Sequence, residues 1–167
     1  MLAKSYIRAN LDRLDVLYRK AKTTQQALFF SKLAIIELCG WIEMSMDEIV
    51  RCCSKRNLKN TANRNHIEKA VIKRTSGFDY NQHFRDMLIQ VIGLKSVERI
   101  ENRMDGSKLQ KLTAALSTLK ILRNREAHTY LKGVTAILDA PSITKARFTD
   151  IYEGLQEIEN CIRLVGL

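Results

Sequence analysis

The stretch from residue 24 to residue 53 contains no proline and a single glycine, Gly40, and its centre, LAIIELCGWI, is apolar almost all the way round. A helix with no polar face is normally the buried centre of a bundle, so this segment predicts a long central helix with others packed around it. The apolar run is too short to span a bilayer and is interrupted by Glu37. Its two interior acids, Glu37 and Glu43, need partners if the helix is buried. The rest of the chain fits this picture. One proline and seven glycines in 167 residues leave little room for turns, so few, long helices are expected.

Ile7, Leu11, Leu14 and Tyr18 mark one face of a first helix. Residues 51–74 change character, with Arg51, Lys55, Arg56, Lys59, Arg64, Lys69, Lys73 and Arg74 against the single acid Glu68. Asn57, Asn60, Asn63 and Asn65 there predict a loop before a short helix. Thr75-Ser76-Gly77 breaks the chain, and Asp79 can cap a helix facing inward through Phe84, Met87, Leu88, Val91 and Ile92. A further turn or two around Val97, Ile100 and Met104 ends at Asp105-Gly106. Ser107 with Gln110 has the form of a capping box, which opens a helix running to Gly133. The stretch 134–138 is ambiguous. After Pro141, Phe148, Ile151, Leu155, Ile158 and Ile162 define a last helix. The expectation is one all-α domain over residues 1–167, a bundle of about six helices with a basic insert at about 55–105.

The formal net charge is +10, which favours polyanionic partners, nucleic acid first among them. Cys39, Cys52, Cys53 and Cys161 show no metal-ligand spacing and read as reduced thiols in or near the core of a cytoplasmic protein. The N-terminal segment alternates charged and apolar residues, unlike a signal peptide. No membrane association and no cofactor are expected.

The pointed feature is LRNREAHTYLKG, residues 122–133. Leu112, Leu116 and Leu119 form a helical stripe whose next position is Arg123, with Ala127 and Tyr130 continuing it. An arginine in such a stripe must be paired or face a cleft. One reading pairs Arg123 with Glu37 or Glu43 and makes His128 a satisfied interior histidine. The other uses the chemistry of the group. Histidine moves protons near neutrality, and a guanidinium forks onto phosphate oxygens. On a basic protein, that pair of abilities points to cleavage of a phosphodiester without a metal, and to RNA, whose 2′-hydroxyl supplies an internal nucleophile.

The pattern Arg123-Asn124-x-x-x-His128 late in a long helix of an all-helical chain resembles the HEPN domain family. The resemblance covers the helices around 24–53 and 107–131 and the last helix, and says little about the insert, which makes this chain longer than a minimal HEPN domain. It implies a metal-independent endoribonuclease, usually a homodimer whose two motifs form one composite site, leaving a 2′,3′-cyclic phosphate and a 5′-hydroxyl. His128 would act as general acid or base, Arg123 would steady the phosphate, and Asn124 would position the other groups. Such proteins are often toxins of toxin–antitoxin or phage-defence systems. Arg-x4-His-x-Tyr further resembles toxins paired with nucleotidyltransferase-type antitoxins, which makes Tyr130 a modification candidate. Glu37 is a supporting candidate. Lys120, Arg125 and Lys132 beside the motif, and Arg56, Lys59 and Arg64 in the insert, are candidate RNA contacts; His66 and His83 read as surface residues. The competing reading is a HEPN-type module that binds RNA, a nucleotide or a protein without cutting.

Overall fold

The computed structural model describes residues 2–128 and 138–166. Within them the elements are α1 (Ser5–Arg19), α2 (Thr24–Asn57), α3 (Thr61–His66), α4 (Arg85–Ile92), α5 (Leu94–Glu101), α6 (Gly106–His128) and α7 (Pro141–Leu164), and no strand occurs among the described residues. Two wider π-helical turns join them. Ile67–Ile72 continues α3, and Tyr80–Phe84 leads into α4. Their widths are set by hydrogen bonds spanning five residues, Lys73 N–H to Glu68 O and Phe84 N–H to Asp79 O.

The four long helices form the body. α1 packs on α2 and α7, α6 packs on the same two, and α2 touches α7. α2 begins where Thr23 Oγ1 accepts the Gln26 N–H at 3.2 Å, a cap that satisfies one of the free donors of its first turn. At 34 residues it is about 50 Å long. Its buried line is Leu28, Ser31, Ala34, Ile35, Leu38, Cys39, Ile42, Met46, Ile49, Val50 and Cys53. The opposite line is in solvent: Phe29, Leu33, Gly40 and Met44 are exposed. α2 is therefore central but not enclosed, which corrects the expectation drawn from its all-round apolar sequence.

α7 follows its sequence pattern closely. Phe148, Ile151, Leu155, Ile158 and Ile162 are all buried, and Pro141 opens the helix, where its missing N–H costs nothing. Gly154 lets α6 come close: a Cβ there would lie 2.6 Å from Leu112 Cβ. On α6 the cap differs from expectation. Asp105 Oδ1, not Ser107, accepts the N–H groups of Ser107 and Lys108, at 2.8 and 3.2 Å. A carboxylate placed before the first turn serves the helix N-terminus better than a hydroxyl inside it.

The insert is helical from residue 61 rather than looped through its asparagines. Asn60 Oδ1 caps α3 by accepting the Ala62 N–H at 2.8 Å. Ile67, Val71, Ile72, Phe78, Tyr80, Phe84, Met87 and Leu88 are buried, and the insert packs on α2 through Ile67–Ile72 and α4. Asp79 caps as expected, accepting the Gln82 N–H at 3.0 Å.

Ion pairs pin the insert to the long helices. Arg51 of α2 donates two hydrogen bonds to Glu68, at 2.9 and 3.2 Å, and Lys120 of α6 reaches Asp79. Hydrogen bonding from Arg51 holds the Glu68 carboxyl below its usual range. The Gln82 N–H, helped by Lys120, does the same for Asp79. A carboxyl whose folded value is depressed contributes stability that is complete above its unfolded value of about 4 and is lost as pH falls through the folded one. Hydrogen exchange of residues 61–92 is therefore expected to accelerate below about pH 4, before the four-helix body opens. Glu68→Gln and Asp79→Asn should each flatten that acid limb.

Candidate active site

Helical geometry advances about 100° per residue, so Leu119, Arg123 and Glu126 fall on one side of α6. The structure continues the buried line differently from the sequence reading. After Leu112, Leu116 and Leu119 the buried residue is Glu126, 2% exposed, while Ala127 is exposed. Arg123 lies at the border, half-buried, with its head group at the rim between α6 and Glu43 of α2.

Among the described residues that head group has two long contacts. Arg123 Nη2 lies 3.5 Å from Glu43 Oε1 of α2, with the two side chains 38% and 35% exposed. Arg123 Nη1 donates to Asn124 Oδ1, also at 3.5 Å. An ion pair this open to water is weak, and a guanidinium carries five donors. Most of the phosphate-binding capacity of Arg123 is thus left at the surface. Beneath it, Cys39 is buried, and burial pushes its thiol up to about 12, against a lowering by the Arg123 charge and with a further raise from Glu43. The pairing expected with either Glu37 or Glu43 is made by Glu43. Glu37 faces the other way and accepts from Asn10 Nδ2 of α1 at 3.2 Å, so it does not support Arg123.

Asn124 is exposed beside Arg123, and His128 closes α6 one helical turn further on. Tyr130 and Lys132 lie outside the described residues. The remaining basic candidates divide. Lys120 Nζ donates to Gln82 Oε1 at 2.7 Å and pairs with Asp79, so it clamps the insert instead of pointing to solvent. Arg125 Nε donates to the buried Glu126 at 2.7 Å, which explains how that carboxylate is tolerated inside. In the insert, Arg56 and Lys59 are exposed. Arg64 Nη2 donates to Lys59 O and Thr61 Oγ1, both at 3.3 Å, which ties it to the start of α3.

His83 is not the solitary surface residue its sequence position implied. Its Nδ1 accepts the Asp79 N–H at 3.2 Å, returning the cap that Asp79 gives to Gln82. Its ring lies where a Cβ on Gly77 would be, 2.8 Å from Cε1, and Gly77 adopts φ +128°. Only glycine combines that backbone with that contact. The reciprocal form of a capping box, Asp79 with an acceptor side chain a turn later, was the available signal. Glu126 carried no comparable signal, since one charged residue among four looks like any other.

Thiol chemistry is not a candidate here. Burial pushes Cys53 to about 11 and raises Cys161, and Cys52, raised by burial, donates to Glu48 Oε1 at 3.5 Å. Iodoacetamide at pH 8 is expected to label the native protein slowly and at Cys52 alone, and Cys39, Cys53 and Cys161 only after unfolding. Peptide mass spectrometry checks this. Rapid native labelling of Cys39 would show that the region under Arg123 opens.

No protein-family model, no curated protein and no solved structure matches the chain. Among the described residues no cluster could hold a metal ion, and no helix is long and apolar enough to cross a membrane.

Proposed function

We propose that this chain is a HEPN-type, metal-independent endoribonuclease acting on single-stranded RNA or tRNA, as the toxin or effector of a defence system. The observation that carries the reading is the placement of Arg123. It stands at the rim of a strongly basic protein, held among the described residues by long contacts to Glu43 and Asn124, on the same helix as His128. In the reaction the 2′-hydroxyl of the substrate attacks the adjacent phosphorus while the bond to the 5′-oxygen breaks. One histidine takes the hydroxyl proton, and a second proton goes to the departing 5′-oxygen. Two copies of the motif would provide both groups, so the working unit is a homodimer. Arg123 stabilises the charge gathered on the phosphoryl oxygens, and Asn124 orients the phosphate. Arg56 and Lys59 would follow the RNA backbone. An antitoxin of nucleotidyltransferase type, with Tyr130 as its target, belongs to the same reading.

The test is cleavage of end-labelled tRNA and of unstructured RNA by the purified protein in EDTA, with the products analysed. Fragments ending in a 2′,3′-cyclic phosphate and beginning with a 5′-hydroxyl are expected. The Arg123–Glu43 contact favours one other reading, in which the pair serves packing and the domain binds RNA without cutting it. Retention of RNA on the protein with no cleavage under any of these conditions would establish that reading instead.

A further inference from the structure

A groove of about 740 Å³ runs along α2 where α1 packs on it. Its floor is one face of α2: Glu37, Gly40, Trp41, Met44 and Glu48 follow each other at helical spacing, and all border it. Its wall is α1, through Tyr6, Ile7 and Asn10. Large side chains stand in water along it, Met44 73% and Tyr6 85% exposed. A groove of this size, lined by apolar and aromatic groups with a few polar ones among them, has the form of a small-molecule site.

The charges in the groove narrow what it takes. Among the described residues Glu37 receives one hydrogen bond, from the neutral Asn10 amide at 3.2 Å, and pairs with no cation. It is half-buried on a chain of net charge +10, so a carboxylate without a counter-charge is exceptional here. The other charges are engaged. Arg51 donates to Glu68, Glu159 accepts from Arg163, and Arg56 has its interaction within the chain. Glu48 lies exposed at the far rim, 3.7 Å from Arg51. One turn from Glu37, Trp41 is fixed by donating to Ala3 O at 2.8 Å and by its edge-on contact with Phe148. Tyr6 stands one turn from Asn10 on the wall. A carboxylate with aromatic rings beside it attracts an ammonium group through both its charge and the ring quadrupoles. Gly40 completes the floor. Glycine is disfavoured in a helix interior, and a Cβ there would meet no atom of the described residues within 4 Å, so the chain's own packing gives no reason for it. It leaves bare backbone between Glu37 and Met44, against which a ligand can lie.

We propose that this groove binds a small organic cation, an ammonium group on an extended apolar body. The ammonium sits on Glu37 Oε1, the oxygen that Asn10 leaves open, and the body runs over Gly40 beside Tyr6 and Trp41 toward Met44. Seven residues separate Glu37 from Met44, about 10 Å of helix, which matches an alkyl chain of roughly eight carbons. A neutral apolar molecule would cover the Glu37 carboxylate without a counter-charge, at a desolvation cost, and an anion would be repelled by it. Arg123 and His128 lie on α6 and take no part, so the site is independent of RNA cleavage.

Trp41 is the chain's single tryptophan, so its emission reports on the groove directly. The experiment titrates the full chain with n-octylammonium chloride and, in parallel, with 1-octanol and sodium octanoate, from roughly 10 µM to a few mM. A saturable change is expected with octylammonium, at concentrations roughly tenfold or more below those needed for the other two. That order is decisive, because the net charge of the chain by itself favours the anion. Shortening the chain from octyl to butyl should weaken binding roughly three- to fourfold per methylene. Glu37→Gln should bring octylammonium to the level of 1-octanol, and Glu37→Lys should make octanoate the best of the three. Gly40→Leu, which fills the floor, should weaken octylammonium roughly tenfold or more while leaving the helical circular dichroism intact. Octylammonium and 1-octanol binding alike would make the groove an apolar cleft with no cation site, which overturns the proposal. A response unmoved by both Glu37→Gln and Gly40→Leu overturns it too, as does no response at all. Sedimentation velocity with and without octylammonium supplies the last outcome: if the amine binds only by splitting a dimer, the groove is a protein interface and the proposal falls.

Discussion

Cleavage of RNA in EDTA is expected to fall by roughly 100- to 10,000-fold in both Arg123→Ala and His128→Ala, the range lost when a proton-transfer group or a transition-state charge partner is removed. Neither loss should come from unfolding. Arg123 and Glu43 are each more than a third exposed, so removing one partner leaves the other able to turn to water, at a cost of under about 1 kcal/mol. A thermal melt of Arg123→Ala close to that of the wild type would therefore accompany the loss of activity. Arg123→Lys separates two roles of the group. It keeps the charge but loses the planar fork that holds two phosphate oxygens at once, so it should retain RNA binding and recover little of the rate. Glu43→Gln removes the competing carboxylate and should strengthen RNA binding. If Arg123→Ala cuts at the wild-type rate, the arginine is a packing residue and the nuclease reading loses its centre. If it loses activity only together with its helical signal, the role is structural and the same conclusion follows.

Where the sequence carried contrast between faces, it was readable. α7 alternates apolar and charged positions, and the five apolar residues named from spacing are all buried. Asp79 was legible as a cap because a short acceptor before an apolar run has few other uses. α2 was legible as a helix but not in its orientation. A segment apolar on every side offers no polar face to say which side is core, and only the positions of α1 and α6 decide it. The α6 stripe failed for a related reason. A helix turns 3.6 residues per cycle, so after Leu119 the inward position falls at Glu126, with Arg123 and Ala127 displaced toward the rim. A buried carboxylate is an improbable choice from sequence because its cost is met by a neighbour, Arg125, which looks like one more surface charge. His83 and Gly77 are joined only once the chain folds back at residues 73–79. The chemistry proposed for Arg123, Asn124 and His128 was stated from the residues and their family resemblance. What the fold adds is that Arg123 is at the surface, weakly held, with Glu43 rather than Glu37 beside it.

The two helical glycines of α2 and α7 make the sharpest contrast in stability. Nothing in the sequence separates Gly40 from Gly154; each sits inside a long helix where alanine would be favoured by about 1 kcal/mol. The space around them differs completely. At Gly154 a Cβ would stand 2.6 Å from Leu112 Cβ and 3.1 Å from Leu112 Cγ, and the Cβ of Leu112 cannot swing away without moving α6. Gly154→Leu should therefore force α6 and α7 apart and cost about 3 kcal/mol or more, lowering Tm by roughly 5–10 °C for a chain of this size. At Gly40 no atom of the described residues stands within 4 Å, so Gly40→Ala should raise Tm by roughly 2–4 °C. Differential scanning fluorimetry measures both. The cause at Gly154 is checked by combining it with Leu112→Ala, itself expected to cost about 2–5 kcal/mol. If the two side chains compete for one space, the double variant will be more stable than the sum of the single losses implies, because the cavity left by one substitution takes in the bulk of the other. Additive losses would mean that α6 and α7 do not touch at this point and that the crossing is set elsewhere.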